Sequence, residues 1–262
     1  RCGAHNSGVP DPTALAQPLE TLVRQAGSIA QEARATMSRT LKPDGSIVTS
    51  ADQDAERFLR AELTRLLPGS RVWGEEEGHA DPGPEGLWLV DPIDGTSNFA
   101  FGSPLWGVSV ALLVGEHVEV GVVALSDLDE VYVGLRGAGA WCNAMPLPRP
   151  SPGPIRREEL VSYSDGLIHR FPGVVWPGKM RHSGAFVVDA MFVARGRMRG
   201  LIDYKCKLYD IAASLVVCGE LGYDIRYASG EPFVLRPLLA DRPVGQPFVI
   251  FPPDSGFIVA LA

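Results

Sequence analysis

The sequence predicts an α/β fold, with an α+β N-terminal half followed by an α/β C-terminal half. Three observations predict it. Two stretches of helical periodicity open the chain, a block of short apolar strands fills its middle, and strands alternate with helices after a Gly/Pro-rich break.

Residues 1–14 read as a flexible or trimmed lead, polar through Pro12, with no signal-peptide pattern. From Leu15 to Met37, apolar residues recur every third or fourth position, which predicts a long amphipathic helix. Lys42–Ser46 is a turn cluster. A second helix is expected with Ser50 as N-cap and Gln53 three residues on, buried through Phe58, Leu59 and Leu63, and stopped by Pro68-Gly69. Strands are expected at 71–73, 87–90, 106–114, 118–124 and 130–135. The stretch from Gly137 to Pro154 reads as a connection, dividing an N-terminal half (15–145) from a C-terminal half (146–262). Beyond it lie strands at 160–163 and 201–203, a helix from about Gly184 to Ala194, a nearly all-apolar helix from Ile211, and short strands at 248–251 and 257–260.

Composition narrows the function. At 45% hydrophobic the chain has material for a sizeable core, which argues against disorder. With 24 Lys and Arg against 31 Asp and Glu the net charge is −7, and no basic run argues for nucleic acid. No apolar run is long enough to span a membrane. Cys2, Cys142, Cys206 and Cys218 include no close pair, so neither a disulfide framework nor a structural zinc site is expected. Free thiols point to a reducing, cytoplasmic compartment.

Four segments carry candidate chemistry. In Leu87-Trp88-Leu89-Val90-Asp91-Pro92-Ile93-Asp94-Gly95-Thr96-Ser97-Asn98-Phe99, an apolar strand runs into two aspartates three apart. Paired carboxylates at a strand end call for a cation, and hard oxygen ligands suit Mg²⁺. Read alone, the segment is equally a polar turn. Glu75, within Trp73-Gly74-Glu75-Glu76-Glu77-Gly78, belongs to what is otherwise a solvated charge run. Asp210, in Tyr209-Asp210-Ile211-Ala212-Ala213-Ser214, is otherwise a helix N-cap, and Asp52 is otherwise a first-turn acid favoured by the helix dipole.

Together, and in this chain order, the four segments resemble the inositol monophosphatase family over roughly Lys42 to Pro232, with Asp91–Thr96 as the most specific string. The resemblance implies a layered α/β/α/β/α sandwich with the site between the halves. It implies a Mg²⁺-dependent, lithium-sensitive phosphatase that hydrolyses a small phosphate monoester with two or three ions. Glu75, Asp91, Asp94 and Asp210, with the carbonyl of Ile93, match the metal ligands. Asp52 and Thr96 match the pair that orients the attacking water, and Glu75 joins them as catalytic. Gly95, Thr96, Gly184, Ala185, Asp203 and Lys207 fall where the family contacts substrate. A homodimer is the family's common state.

The sequence also departs from the pattern. Tyr209 stands where Trp is usual, Ser214 where Gly is usual, and 219–222 reads Gly-Glu-Leu-Gly. These changes motivate a second hypothesis, a non-catalytic relative that keeps the fold. A phosphatase forming an aspartyl-phosphate is a third, disfavoured because its aspartates are typically spaced D-x-D. Inositol monophosphate, histidinol phosphate, adenosine 3′,5′-bisphosphate and fructose 1,6-bisphosphate are candidate substrates, with an inositol-type one favoured. None of His5, His79, His117, His169 and His182 has metal-ligand spacing, and structural or surface roles are expected; His182, near Gly184, carries a second reading in which it faces substrate. Cys206 is expected to border the pocket.

Overall fold

The computed structural model describes residues 11–256 except Asp44 and Asp165. The expected strand at 257–260 lies outside the described residues. Helix α1 (Pro12–Ala33) begins three residues before the expected Leu15, because Asp11 accepts the Thr13 N–H at 2.9 Å and Pro12, with no N–H, needs no acceptor in the first turn. Strands β1 (Arg39–Leu41) and β2 (Ile47–Thr49) form a hairpin around the 42–46 turn, too short and exposed to show a period.

Helix α2 (Ser50–Leu66) is capped by Thr49, not Ser50. The reciprocal partner is Asp52, not Gln53: Asp52 accepts the Thr49 N–H at 2.8 Å while Thr49 Oγ1 accepts from the first turn. The cap moves by one residue because Thr49 is still extended, at φ −117°.

A seven-stranded sheet follows in spatial order β3 (Arg71–Gly74), β4 (Leu87–Asp94), β5 (Gly107–Val114), β6 (His117–Leu125), β7 (Glu130–Leu135), β8 (Gly139–Cys142) and β9 (Met145–Pro146), with α3 (Thr96–Ala100) between β4 and β5. Only the β3–β4 pair is parallel. Strands β8 and β9 occupy part of the stretch expected as connection; at four and two residues they are held by pairing, not by apolar alternation. Strand β4 runs past Val90 to Asp94, so the two aspartates sit on the strand and not after it. Its pairing with β5 breaks between Asp91 and Asp94, where Pro92 has no N–H to offer.

The C-terminal sheet has the order β11 (Lys179–Arg181), β10 (Leu160–Tyr163), β12 (Gly200–Asp203), β14 (Phe248–Phe251), β13 (Asp224–Tyr227). Helix α4 (Leu167–Arg170) follows β10, α5 (Phe186–Ala194) precedes β12, and α6 (Leu208–Glu220) precedes β13. Helix α6 starts three residues before Ile211, so Asp210 is its third residue and not its cap; Lys207 takes the cap position.

The layers explain why the strands read as continuous apolar runs. Trp88, Val90, Val110 and Leu112 pack with α1 and α2 on one face of the seven-stranded sheet, while Leu87, Leu89, Ala111 and Leu113 pack with α5 and α6 on the other. Leu201, Phe248 and Ile250 bring the five-stranded sheet onto that middle helical layer; Val161, Ile202 and Val249 face out to Leu167 of α4. The order is thus helices, sheet, helices, sheet, helix. Successive residues on a strand point to opposite faces, and both faces here are covered. No helix among the described residues is long and apolar enough to cross a membrane.

Candidate active site

The fold gathers the four segments at one end of β4. Asp91 is 2% exposed, and its Oδ1 accepts the Ile93 N–H at 3.1 Å. Asp94 Oδ2 accepts the Val187 N–H of α5 at 2.6 Å, a bond between the end of β4 and the start of α5. Asp210 Oδ2 accepts the Lys207 N–H at 2.7 Å. Glu75 follows β3, its N–H held by the Val90 carbonyl at 3.1 Å, and its carboxylate meets Lys42 Nζ at 2.9 Å. Lys42 also reaches Glu76 at 2.7 Å, so the β1–β2 hairpin places one ammonium on two acids.

Charge accumulates faster than it is compensated. Burial, then Glu75, Asp94 and Asp210, push Asp91 well above the ordinary carboxylate range. Burial raises Asp94 to about 7 against the opposing Val187 N–H, and burial followed by Glu75 and Asp94 raises Asp210. Burial likewise takes Glu76 to about 7, although Lys42 works against it. Lys42 is disfavoured by burial yet raised by Glu75 and Glu76.

Beside this cluster, Asp52 is fully buried on α2. Its Oδ2 accepts from Thr49 Oγ1 at 2.6 Å, and its Oδ1 lies 3.2 Å from Thr96 Oγ1. Thr96 Oγ1 also lies 3.0 Å from the Ile93 carbonyl. Burial raises Asp52 to about 6, with the Thr49 hydrogen bonds opposing. Gly95 caps α3 at φ 84°, a left-handed conformation, and a Cβ there would lie 2.7 Å from the Ala185 methyl. Gly95 is therefore what lets Gly184-Ala185, just before α5, close over the start of α3.

The remaining expected substrate residues are placed as follows. Asp203 ends β12, its Oδ1 accepting the N–H groups of Tyr204 (2.5 Å) and Lys205 (2.8 Å). It also lies close enough to raise Asp94 and Asp210. Lys207 directs its ammonium to Asp241 at 3.1 Å and over the Tyr209 ring. Tyr209 meets Trp73 edge-on at 5.9 Å, and His79 meets the same ring edge-on at 4.6 Å. Cys206 is buried, its thiol pushed up by burial and by Asp203 and Asp210. His182 Nδ1 is 3.6 Å from Asp189 Oδ2.

Asn98 and Asp189 are among the site residues not assigned roles from the sequence. Asn98 donates to the Leu105 carbonyl at 2.6 Å and the Ser183 carbonyl at 2.8 Å, tying α3 to the 183–185 loop. Asp189, 4% exposed, accepts from Ser162 Oγ at 2.6 Å and from the Ser183 N–H. The signal for Asn98 was its place in the Asp91–Phe99 string; Asp189, inside an apolar helix, was the anomaly to ask about.

The donor set fits a hard divalent cation. It is all oxygen, Asp91 within it is buried, and burial and the neighbouring carboxylates raise Asp91, Asp94 and Asp210. Among the described residues, no three or more His, Cys, Asp or Glu side chains are grouped so that they could hold a metal ion as they stand. Asp91, Asp94 and Asp210 each use one oxygen for a backbone N–H, and an ionised carboxylate has lone pairs on both.

Over residues 11–246 the chain matches the sequence profile of the Inositol monophosphatase family. It is 30% identical over 225 residues to the fructose-1,6-bisphosphatase/inositol-1-monophosphatase of Aquifex aeolicus, covering 80% of this chain and 82% of that protein. It is 35% identical over 209 residues to the histidinol-phosphatase of Chlorobaculum parvum, covering 77% and 81%. The solved structure of a Thermotoga maritima IMPase superposes with a TM-score of 0.79 at 26% identity, over 92% of both chains.

Proposed function

Since the chain belongs to the inositol monophosphatase family and is a phosphoric monoester hydrolase, we propose that it hydrolyses a small, inositol-1-phosphate-like phosphate monoester with Mg²⁺ at the Asp91 cluster. The observation that carries this reading is the meeting of Glu75, Asp91, Asp94 and Asp210 beside the Asp52–Thr96 pair. Glu75, Asp91, Asp94, Asp210 and the Ile93 carbonyl would hold two or three ions. Bound Mg²⁺ supplies the positive charge that a phosphate dianion needs among these acids and lowers the pKa of a coordinated water.

The chain's own residues position and deprotonate that water. Thr96 Oγ1 accepts a water proton while passing its own proton to Asp52 Oδ1, 3.2 Å away. Asp52, raised to about 6 by burial, is basic enough to accept it and is ionised at neutral pH. The N–H groups of Gly95 and Thr96 open α3, where first-turn donors have no intrahelical acceptor, and would bind the phosphate oxygens. Gly184 and Ala185 close the substrate side, with Asp203 available to a hydroxyl or amine of the leaving group. Lithium inhibition is expected on the same ground. The resemblance supports a homodimer, and the free, buried Cys142, Cys206 and Cys218 support a reducing, cytoplasmic compartment.

The test is phosphate release from inositol 1-phosphate, histidinol phosphate, adenosine 3′,5′-bisphosphate and fructose 1,6-bisphosphate, with Mg²⁺ and with chelator. Mg²⁺-dependent release, fastest on inositol 1-phosphate, is the expected outcome. Fastest release on another member of the panel reassigns the substrate, and release unaffected by chelator removes the metal from the reading.

A further inference from the structure

The turn that carries Glu75 is held from beneath by a buried acid. Helix α2 places Glu56 one turn after Asp52, so both face the same side of the helix. Glu56 is fully buried. Its Oε2 accepts the Glu76 N–H at 2.8 Å and its Oε1 the Glu77 N–H at 2.9 Å. Arg60, a further turn along, donates to Glu56 Oε1 at 3.0 Å and to the Val72 carbonyl at 2.7 Å, and pairs with Glu77 at 2.8 Å. A Cβ at position 74 would lie 2.0 Å from Glu56 Oε1, so the carboxylate fills the space that Gly74 leaves.

With the Glu75 N–H on Val90, three consecutive N–H groups of this turn are engaged, two of them by one carboxylate. An ionised group this deep is unfavourable unless fully hydrogen-bonded. Its two oxygens hold the Glu75–Glu76 and Glu76–Glu77 peptides, while the Val90 carbonyl holds the N–H before Glu75, and the charge of the Glu75 carboxylate reaches Asp91, Asp94 and Asp210.

We propose that Glu56 is the positioning residue for Glu75, and that it sets metal affinity without touching metal or substrate; this rests on the metal-binding reading above. Residues that orient a ligand from behind typically change metal affinity by about 10- to 100-fold when altered. Glu56→Gln keeps the size but turns an NH₂ onto one backbone N–H.

The experiment is calorimetric titration of Mg²⁺ into metal-free wild type, Glu56→Gln, Glu75→Gln and Leu63→Ala, with thermal melts of each. Leu63, fully buried on the same helix, is the control for lost stability alone. Glu56→Gln is expected to bind Mg²⁺ about 10- to 100-fold more weakly, while Leu63→Ala melts earlier and binds as wild type does. Wild-type affinity in Glu56→Gln, or an equal loss in Leu63→Ala, overturns the proposal. If Glu56→Gln does not fold, Gly74→Ala displaces the same carboxylate, and wild-type affinity there overturns it as well. Glu75→Gln separates the two readings: if it binds like wild type, the metal assignment itself is wrong and the proposal falls with it.

Discussion

Asp91 sits at 2% exposure within reach of the charge of Glu75, Asp94, Asp210 and Asp52. Its substitution by Asn removes one negative charge from a site where like charges oppose one another. Asp91→Asn is therefore expected to abolish Mg²⁺-supported turnover while the metal-free protein melts no earlier than wild type. Near-normal kcat would contradict the metal role. Thr96 makes a different contribution, because its hydroxyl bridges Asp52 and the Ile93 carbonyl and carries no charge. Thr96→Ala is expected to lower kcat by about 100-fold or more, the scale of a positioned proton-transfer group, with the Mg²⁺ requirement little changed. An unaltered kcat removes Thr96 from the reaction.

At the scale of the element, the first turn of α2 joins folding to chemistry. Thr49 caps the helix through the same hydroxyl that donates to Asp52. Thr49→Ala should therefore have two effects. Loss of the cap is expected to destabilise the protein by about 1 kcal/mol, seen in denaturant melts. Loss of a donor that holds Asp52 down should raise its pKa further above about 6, shifting the acid limb of the kcat/KM–pH profile to higher pH. An unmoved acid limb would show that another group sets it. Helix α3 is the second such element. Asn98 holds the Leu105 and Ser183 carbonyls, so Asn98→Ala frees two carbonyls and loosens the 183–185 loop over Gly95. KM is expected to rise more than kcat falls; a pure loss of stability with unchanged kinetics would make Asn98 structural only.

At the scale of the whole molecule, the acid cluster makes stability depend on pH and metal together. Asp94 and Glu76 are raised to about 7 and Asp52 to about 6, against an ordinary value near 4 in the unfolded chain. The folded protein thus holds more protons than the unfolded chain between about pH 4 and 7. Stability from these groups is greatest below that window and is lost as pH rises through it. Metal-free protein is expected to melt later at pH 5 than at pH 8. Mg²⁺ competes with those protons, so its stabilising effect should grow across the same range and its binding should release protons into the buffer. Melts with chelator and with Mg²⁺ at both pH values check this. A melting point that rises with pH in chelator would contradict it.

Strands β3 to β7, β10, β12 and β14, the apolar helices and the Asp91–Thr96 string were legible because local rules govern them: period, turn residues and the order of four motifs. Each motif alone had a bland reading; that of Asp52, an acid in the first turn of α2, agrees with the structure, while Asp210 stands at the third position of α6 and not at its cap. Neighbouring residues can exchange the cap, which is why Ser50 was expected where Thr49 acts. The short strands β8 and β9 left no mark in the sequence because pairing, not pattern, makes them. What only the tertiary structure decided are the contacts between distant segments: Asn98 on Ser183, Val187 on Asp94, Lys42 on Glu75 and Glu56 beneath the Glu75 turn. The sequence by itself determined which acids this protein brings together. Their orientation, burial and mutual charge came from the packing of helices onto both faces of β4, because hydrogen bonds and desolvation act through space and not along the chain.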